Sequence, residues 1–164
     1  MKEIKLTKGM VALVDDEDYE RVGQYSWHVK MPCNVWYAYH LFHLDSGYYL
    51  CSMHRFILKL PVGKSGVSPV DHLDRNGLNN QKENLRICTP QENRANAPGC
   101  NGKYKGVTFR SNKNTWRASV EVCGRSHEKC GFSTAEEAAR AYDKMAIEYF
   151  GEFTYLNFPS EKIK

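Results

Sequence analysis

The stretch DHLDRNGLNNQKENLR, residues 71–86, followed by Glu92 and Asn93, gathers the residue types best able to do chemistry in this chain. An imidazole with an ordinary pKa near about 6.5 can take a proton from water around neutrality. Carboxylate and amide oxygens are the donors a hard divalent cation prefers. Residues 74–77 have turn chemistry, with Asn76-Gly77 free to enter the left-handed region. A strand is therefore expected to end near His72 and the chain to reverse. A second strand follows at 85–88, and Thr89 caps a short helix through Asn93. Such a ββα unit is too small to be held by hydrophobic burial, so a bound metal or packing against neighbours must help. Successive strand residues point to opposite faces. Asp71 and His72 can serve one reacting group only where that alternation breaks, which a strand end before Asp74 allows. Taken alone, the same string is also a polar turn with a solvent-exposed histidine.

The elements that must position this string lie on both sides of it. Upstream, residues 10–14 are an apolar run, and the acidic cluster at 15–20 suits the start of a short helix, where carboxylates meet the positive end of the dipole. Aromatic and β-branched stretches at 25–30, 35–44 and 47–52 read as strands, with Asp45-Ser46-Gly47 as a hairpin turn, and 53–60 reads as a helix stopped by Pro61. Residues 61–97 carry little hydrophobic mass, and Pro98-Gly99-Cys100-Asn101-Gly102 reads as a linker. Downstream, strands are expected at 106–109, 116–122 and 126–132. A helix follows at about 134–150, with Ser133 and Glu136 as its capping box and Gly151 as its stop. Residues 160–164 are a tail.

The chain has 164 residues, 41% hydrophobic and 26% charged, with a net charge of +4, which fits one globular domain or two small ones. The charge is uneven. Lys103, Lys105, Arg110, Lys113, Arg117, Arg125 and Lys129 face only Glu121 and Glu128 across the last three strands, while the following helix is acidic. A basic sheet on an acidic helix points the sheet at phosphate, unless it is simply a solvated face. The six cysteines contain no C-x-x-C pair, so no structural zinc is expected, and reduced thiols in a cytoplasmic protein are. His40 and His43, three apart on a strand, face opposite sides and make a poor zinc pair. The start MKEIKL has no apolar leader and nothing approaches a membrane span, so no membrane partner is expected.

Residues 54–97 closely resemble the HNH nucleases, particularly the phage homing-endonuclease branch whose last motif residue is Asn. Asp71-His72, Asn79-Asn80, Asn84-Leu85-Arg86 and Asn93 carry the match. The resemblance implies that Asp71 and Asn93 each give an oxygen to one Mg²⁺ or Mn²⁺. It also implies that His72 is the general base and that Asn84 braces the loop holding it. Arg55 of the His54-Arg55 pair is a phosphate contact on this reading, or an ordinary surface arginine. Residues 103–159 are similar to the plant ethylene-response-factor DNA-binding domain through Tyr104-Lys105-Gly106-Val107, Trp116-Arg117-Ala118, the Ala-Ala-x-Ala-Tyr-Asp helix and Leu156-Asn157-Phe158-Pro159. That resemblance implies a three-stranded antiparallel sheet on one helix, laid in the major groove. Arg110, Trp116, Arg117 and Arg125 are its contacts to DNA, with Lys105 and Lys113 on phosphates. Trp116 can equally be a sheet-core aromatic. Thr108, Phe109 and the 129–131 segment depart from the plant pattern, so the sequence read does not transfer.

The expected fold is α+β. It comprises a β-rich platform (1–60), a ββα-metal core (61–97), a linker (98–102) and a sheet-on-helix reader (103–159). The expected function is site-specific cutting or nicking of double-stranded DNA by a monomeric homing endonuclease in a bacterial or phage-infected cell. The rival reading is a DNA-binding transcriptional regulator with a decayed nuclease site, and a third is RNA binding or cleavage, which a groove-reading sheet disfavours because A-form RNA hides its major groove.

Overall fold

The computed structural model describes residues 1–45, 47–61, 68–99 and 103–161, grouped as two compact units, Met1–Thr89 and Pro90–Lys164. Ser46 of the expected hairpin turn, residues 100–102 of the expected linker with Cys100, and 162–164 of the tail lie outside the described residues.

The first unit begins with a hairpin of β1 (Lys2–Lys5) and β2 (Val11–Val14). The alternation of the apolar run puts Ala12 and Val14 fully inside, and β1, which the sequence reading missed, adds Ile4 to the same core. Helix α1 (Asp16–Gly23) carries Asp16, Glu17 and Asp18 in its first turn, where the helix dipole favours them. Its Val22 is buried, and the Val22 carbonyl accepts from the Trp27 indole at 3.0 Å. Strands β3 (His28–Lys30), β4 (Tyr37–Leu44) and β5 (Gly47–Ser52) form an antiparallel sheet in that order. Helix α2 (Met53–Ile57) buries Met53 and Ile57. It ends before the expected limit at Pro61 because Lys59 turns left-handed at φ 54. A short two-stranded ladder, β6 (Val70–His72) with β7 (Leu85–Ile87), completes the unit. Val70 and Leu85 tie this ladder into the core around Trp27.

The second unit starts with α3 (Pro90–Asn96), whose proline sits at a position that needs no donor. Strands β8 (Val107–Arg110), β9 (Thr115–Val122) and β10 (Arg125–Phe132) form an antiparallel sheet with β9 central. Helix α4 (Ala135–Phe150) packs on it through Ala138, Tyr142, Met145 and Ala146 against Ala118 and Val120. The architecture is α+β. The capping box is one residue later than expected. Thr134 Oγ1 accepts from the Glu137 N–H at 3.2 Å, and the Glu137 carboxylate takes the Ser133 and Thr134 N–H groups. The Ser-Thr doublet allows either frame, and Glu136 is drawn away to the Tyr104 hydroxyl and Lys103. The buried Asp143 carboxylate accepts from the backbone of Asn157 and Phe158 and from the Asn157 amide, clipping the C-terminal segment to α4. No helix among the described residues is long and apolar enough to cross a membrane.

Gly106 holds φ +70, and a Cβ there would meet the Tyr142 ring at 2.0 Å and the Ser119 carbonyl at 2.8 Å. Gly124 has a similar φ of +75 with nothing within 4 Å. Gly124→Ala is therefore expected to cost only the left-handed backbone term, about 1 kcal/mol. Gly106→Ala should cost that plus an overpacking penalty of about 1–3 kcal/mol. Urea denaturation of the full chain, comparing the two variants, checks the order.

Candidate functional site

The polar loop between β6 and β7 is held from outside rather than by its own apolar residues. Leu13 of β2 uses both backbone groups on it, its N–H donating to the Leu78 carbonyl and its carbonyl accepting from Asn80, each at 2.8 Å. Asp15 accepts from the Lys82 N–H at 2.8 Å and from the Gln81 amide, and the Lys82 ammonium pairs with Glu17 and Asp18. The acidic cluster thus docks a turn 67 residues away as well as starting its own helix. The left-handed residue of the loop is Arg75 (φ 64) rather than Asn76 or Gly77. Gly77 is required for space instead, since a Cβ there would sit 2.5 Å from the Trp36 carbonyl and 2.6 Å from the Tyr37 ring.

Within the loop, Asn84 bonds in three directions. Its amide donates to Asp74 Oδ1 (2.9 Å) and to the Asn79 carbonyl (2.8 Å), while its oxygen accepts from the Asp74 N–H (3.0 Å). Asp74 also accepts from the Asn76 N–H and the Asn79 amide. Burial alone would raise the Asp74 carboxyl. The bonds from Asn79, Asn76 and Asn84, with His72 nearby, outweigh it and hold the carboxyl below its usual range.

His72 is 3% exposed, which removes the reading of a solvent-exposed histidine on a polar turn. Its ring lies 5.6 Å from that of Tyr37 and 5.1 Å, edge-on, from that of His54. Burial pushes its pKa down, while the Asn80 amide and the carboxylates of Asp74 and Asp71 act in the opposite direction. His54 is bonded to the Ser52 hydroxyl at 2.9 Å. Burial, then His72 and Arg55, drive its pKa down to about 3. Two neutral imidazoles therefore stand side by side at neutral pH. Arg55, the other member of the His54-Arg55 pair, donates to the carbonyls of Pro61 and Ser68, both at 3.1 Å, and braces backbone.

Asp71 is 5% exposed, and its Oδ2 accepts from Arg86 Nε (2.9 Å) and Nη2 (2.8 Å) directly across the ladder. The β6–β7 register is continuous through His72, where β6 ends, so the strand end expected before Asp74 is present. Asn93 lies on α3, in the second unit, and is exposed. Among the described residues no group of three or more His, Cys, Asp and Glu side chains comes together as a metal cage. The Asp71 carboxylate and the Asn93 amide are both hard oxygen donors, the kind a magnesium ion accepts while keeping several waters. His40 and His43 point to opposite faces of β4. His40 bonds the Ser26 carbonyl among Tyr25, Trp27 and Phe42, and His43 stacks on Tyr48.

In the second unit, register places Arg110, Arg117 and Thr108 on the sheet face away from α4. Arg117 donates to Glu128 at 2.9 Å, Arg110 lies 3.3 Å from the Cys130 sulfur, and Lys113 is exposed in the β8–β9 turn. Three expected DNA contacts fall elsewhere. Trp116 shares the face of Ala118 and packs, partly buried, against the α4 core, with its ring 5.0 Å from that of the exposed Phe109. Arg125 pairs with Val122 and so starts on the helix side. Lys105 donates to the carbonyls of Arg94, Ala95 and Ala97, so its ammonium caps the C-terminal end of α3 rather than reaching for phosphate.

The sequence model of the HNH endonucleases matches residues 51–95, which contain Asp71, His72, Asn84 and Asn93. An uncharacterized HNH endonuclease of Acanthamoeba polyphaga mimivirus is 38% identical over 155 residues, covering 92% of this chain and 76% of the viral protein. The chain belongs to the HNH endonuclease family. It is a nuclease of the kind that acts on DNA. Protein 3.8 of Escherichia phage T7 is 32% identical over 87 residues, 51% of this HNH chain and 71% of the phage protein. APETALA2-like protein 2 of Oryza sativa subsp. indica is 41% identical over 56 residues, 34% of this HNH chain and 13% of the plant protein. No solved structure matches.

The depressed His54 pKa has a signed consequence. Unfolded, the residue takes a proton near about pH 6.5, and folded it resists until about pH 3. Stability from this group is full above the unfolded value and is lost as pH falls through that window, with His72 acting in the same direction. The urea midpoint should fall between about pH 7.5 and about pH 5. His54→Gln should make that drop smaller.

Proposed function

We propose that the chain is a site-specific endonuclease that hydrolyses phosphodiester bonds of double-stranded DNA, cutting or nicking, in the service of a mobile element. The observation that carries this reading is His72. It is an imidazole kept neutral by burial at the end of β6, followed by a loop that Asn84 ties down at three points. A neutral ring can accept the proton of an attacking water, and a braced loop keeps it from drifting out of line. Asp71, oriented by Arg86, and Asn93 are the proposed oxygen ligands of one divalent cation, Mg²⁺ or Mn²⁺. When bound, that cation would neutralise charge building on the phosphate and leaving oxygen. In this division of labour residues 1–97 form the ββα-metal nuclease and residues 103–159 are a reader similar to the plant ethylene-response domain, presenting Arg110, Arg117 and Lys113 to DNA. The short plant match and the basic outer face support the reader.

The test is plasmid nicking with magnesium, with excess chelator, and with His72→Ala. His72→Ala is expected to keep parental DNA affinity and to lose on the order of 10²–10⁴ in rate, the worth of a positioned base. Excess chelator should abolish cutting. A variant that cuts like the parent at neutral pH shows that His72 is not the base, whereas a parent that cuts nothing with magnesium leaves the chain a DNA-binding protein without this chemistry. For the reader, Arg117→Ala should relax sequence preference by about 1–3 kcal/mol if it reads a base. If it touches only phosphate, it should weaken all sequences alike and lower the salt slope by about one unit. Binding selections at two salt concentrations separate these outcomes.

A further inference from the structure

Among the described residues Asn80 is the most deeply buried amide, 1% exposed, in a loop whose residues 73–76 lie open to solvent. Its main chain is fully employed, the N–H donating to the Leu13 carbonyl at 2.8 Å. Its side chain is not. Neither the amide oxygen nor the amide nitrogen has a hydrogen-bond partner at full geometry among the described residues. Leaving buried polar atoms unpaired is costly, and each case in a native fold calls for a reason. Asp143, buried to the same 1%, gives its carboxylate oxygens to Asn157 and Phe158. The neighbouring Asn79 donates from its amide to Asp74 at 2.8 Å. Holding the loop does not explain the Asn80 amide, because the bond to Leu13 is made by backbone. An apolar side chain of similar size would fill the same space with no polar atom stranded.

The group that the Asn80 amide faces is His72. It favours the protonated ring, ahead of Asp74 and Asp71. A neutral neighbour favours that form by accepting from a ring N–H, so the amide oxygen is the atom turned towards the imidazole. On His72 itself Nε2 lies buried. The rings of Tyr37 and His54 pack against the same imidazole at 5.6 and 5.1 Å, which leaves it little freedom to turn. A neutral imidazole carries one ring proton, and the nitrogen that holds it cannot also accept one from water. Hydrogen bonds to catalytic groups are often loose before substrate binds and tighten in the complex.

We propose that Asn80 is a positioning residue for the base: its amide oxygen takes the Nε2 proton of His72, fixes the ring, and leaves the Nδ1 lone pair for the attacking water. This deepens the nuclease reading and rests on His72 being the base. The proton of the water goes to Nδ1, and the resulting imidazolium keeps its Nε2–H on Asn80. Two asparagines then divide the work, Asn84 tying down the loop and Asn80 the ring.

The experiment uses the full chain with ¹⁵N-labelled histidine, its ring shifts recorded in chelator at about pH 7.5, where His72→Ala identifies the His72 signals. The variants Asn80→Leu and Asn80→Asp are compared with the parent for melting, for plasmid Kd in chelator, and for single-turnover plasmid cleavage with magnesium. The parent should show His72 as the Nε2–H tautomer. Asn80→Leu should give a mixture of tautomers and cut about ten- to a hundredfold more slowly at saturating plasmid. Its Kd should stay within about twofold, and its melting temperature should not fall. Asn80→Asp, which restores an acceptor oxygen, should keep the Nε2–H tautomer and recover most of the lost rate. A parent in the Nδ1–H tautomer overturns the proposal, as does an Asn80→Leu variant that melts lower yet cuts at the parental rate. If Asn80→Leu does not fold, the parental tautomer and the Asn80→Asp rate still decide. Should His72→Ala cut like the parent, the base reading fails and the catalytic part of the proposal falls with it. The Nε2–H signal and its loss in Asn80→Leu would then still establish that Asn80 holds the ring.

Discussion

Leu13 spends both of its main-chain hydrogen-bonding groups on a loop more than sixty positions further along the chain, and the geometry of the motif follows from that. The loop between His72 and Leu85 is nearly devoid of apolar mass. A segment of that composition has no hydrophobic reason to adopt one shape, and ordering it costs about 1–2 kcal/mol per residue in backbone entropy. Each added bond returns about 0.5–1.5 kcal/mol. Order is therefore reached only when the loop is held at several points at once. Leu13, Asp15 and Asn84 supply those points, and the hairpin that carries Leu13 is anchored in turn by Ala12 and Val14 in the core around Trp27.

A second constraint is the shared burial of His54 and His72. Protonating either ring in place would put a charge at a buried (His72) or half-buried (His54) position, beside another imidazole. The proposed chemistry benefits from a base that is ready in its neutral form. The fold carries the cost, because it gives up the freedom to charge two histidines that an unfolded chain would charge readily in mild acid.

Local signals were the legible ones. The strands of the second unit, the glycine stop of α4 and the turn before β7 all follow from residues within a few positions of each other. The motif residues were legible through resemblance, and periodicity alone would have left His72 on a turn. Contacts between distant segments were not legible. Nothing near Asp15 announces that its carboxylate serves Lys82, and nothing near Lys105 announces that its ammonium caps α3. The capping frame at Ser133-Thr134 was ambiguous because two adjacent hydroxyls can each cap. Trp116 was ambiguous because residue type says nothing about face, whereas register with Val107, Ala118 and Val120 decides it.

Lys105 also bears on how such a chain can be assembled from parts. Its ammonium closes the end of α3, and the Ala95 carbonyl takes the Tyr155 N–H. The short helix that carries Asn93 is thereby built into the unit containing the three-stranded sheet, upstream of the Pro98-Gly99 stretch that looks like a natural seam. Recombination at that seam would hand the recipient a helix with uncapped carbonyls and a sheet missing its neighbour. An exchange that keeps both partners intact has to fall near Thr89. The last residue of the nuclease motif is then inherited with the sheet rather than with the histidine.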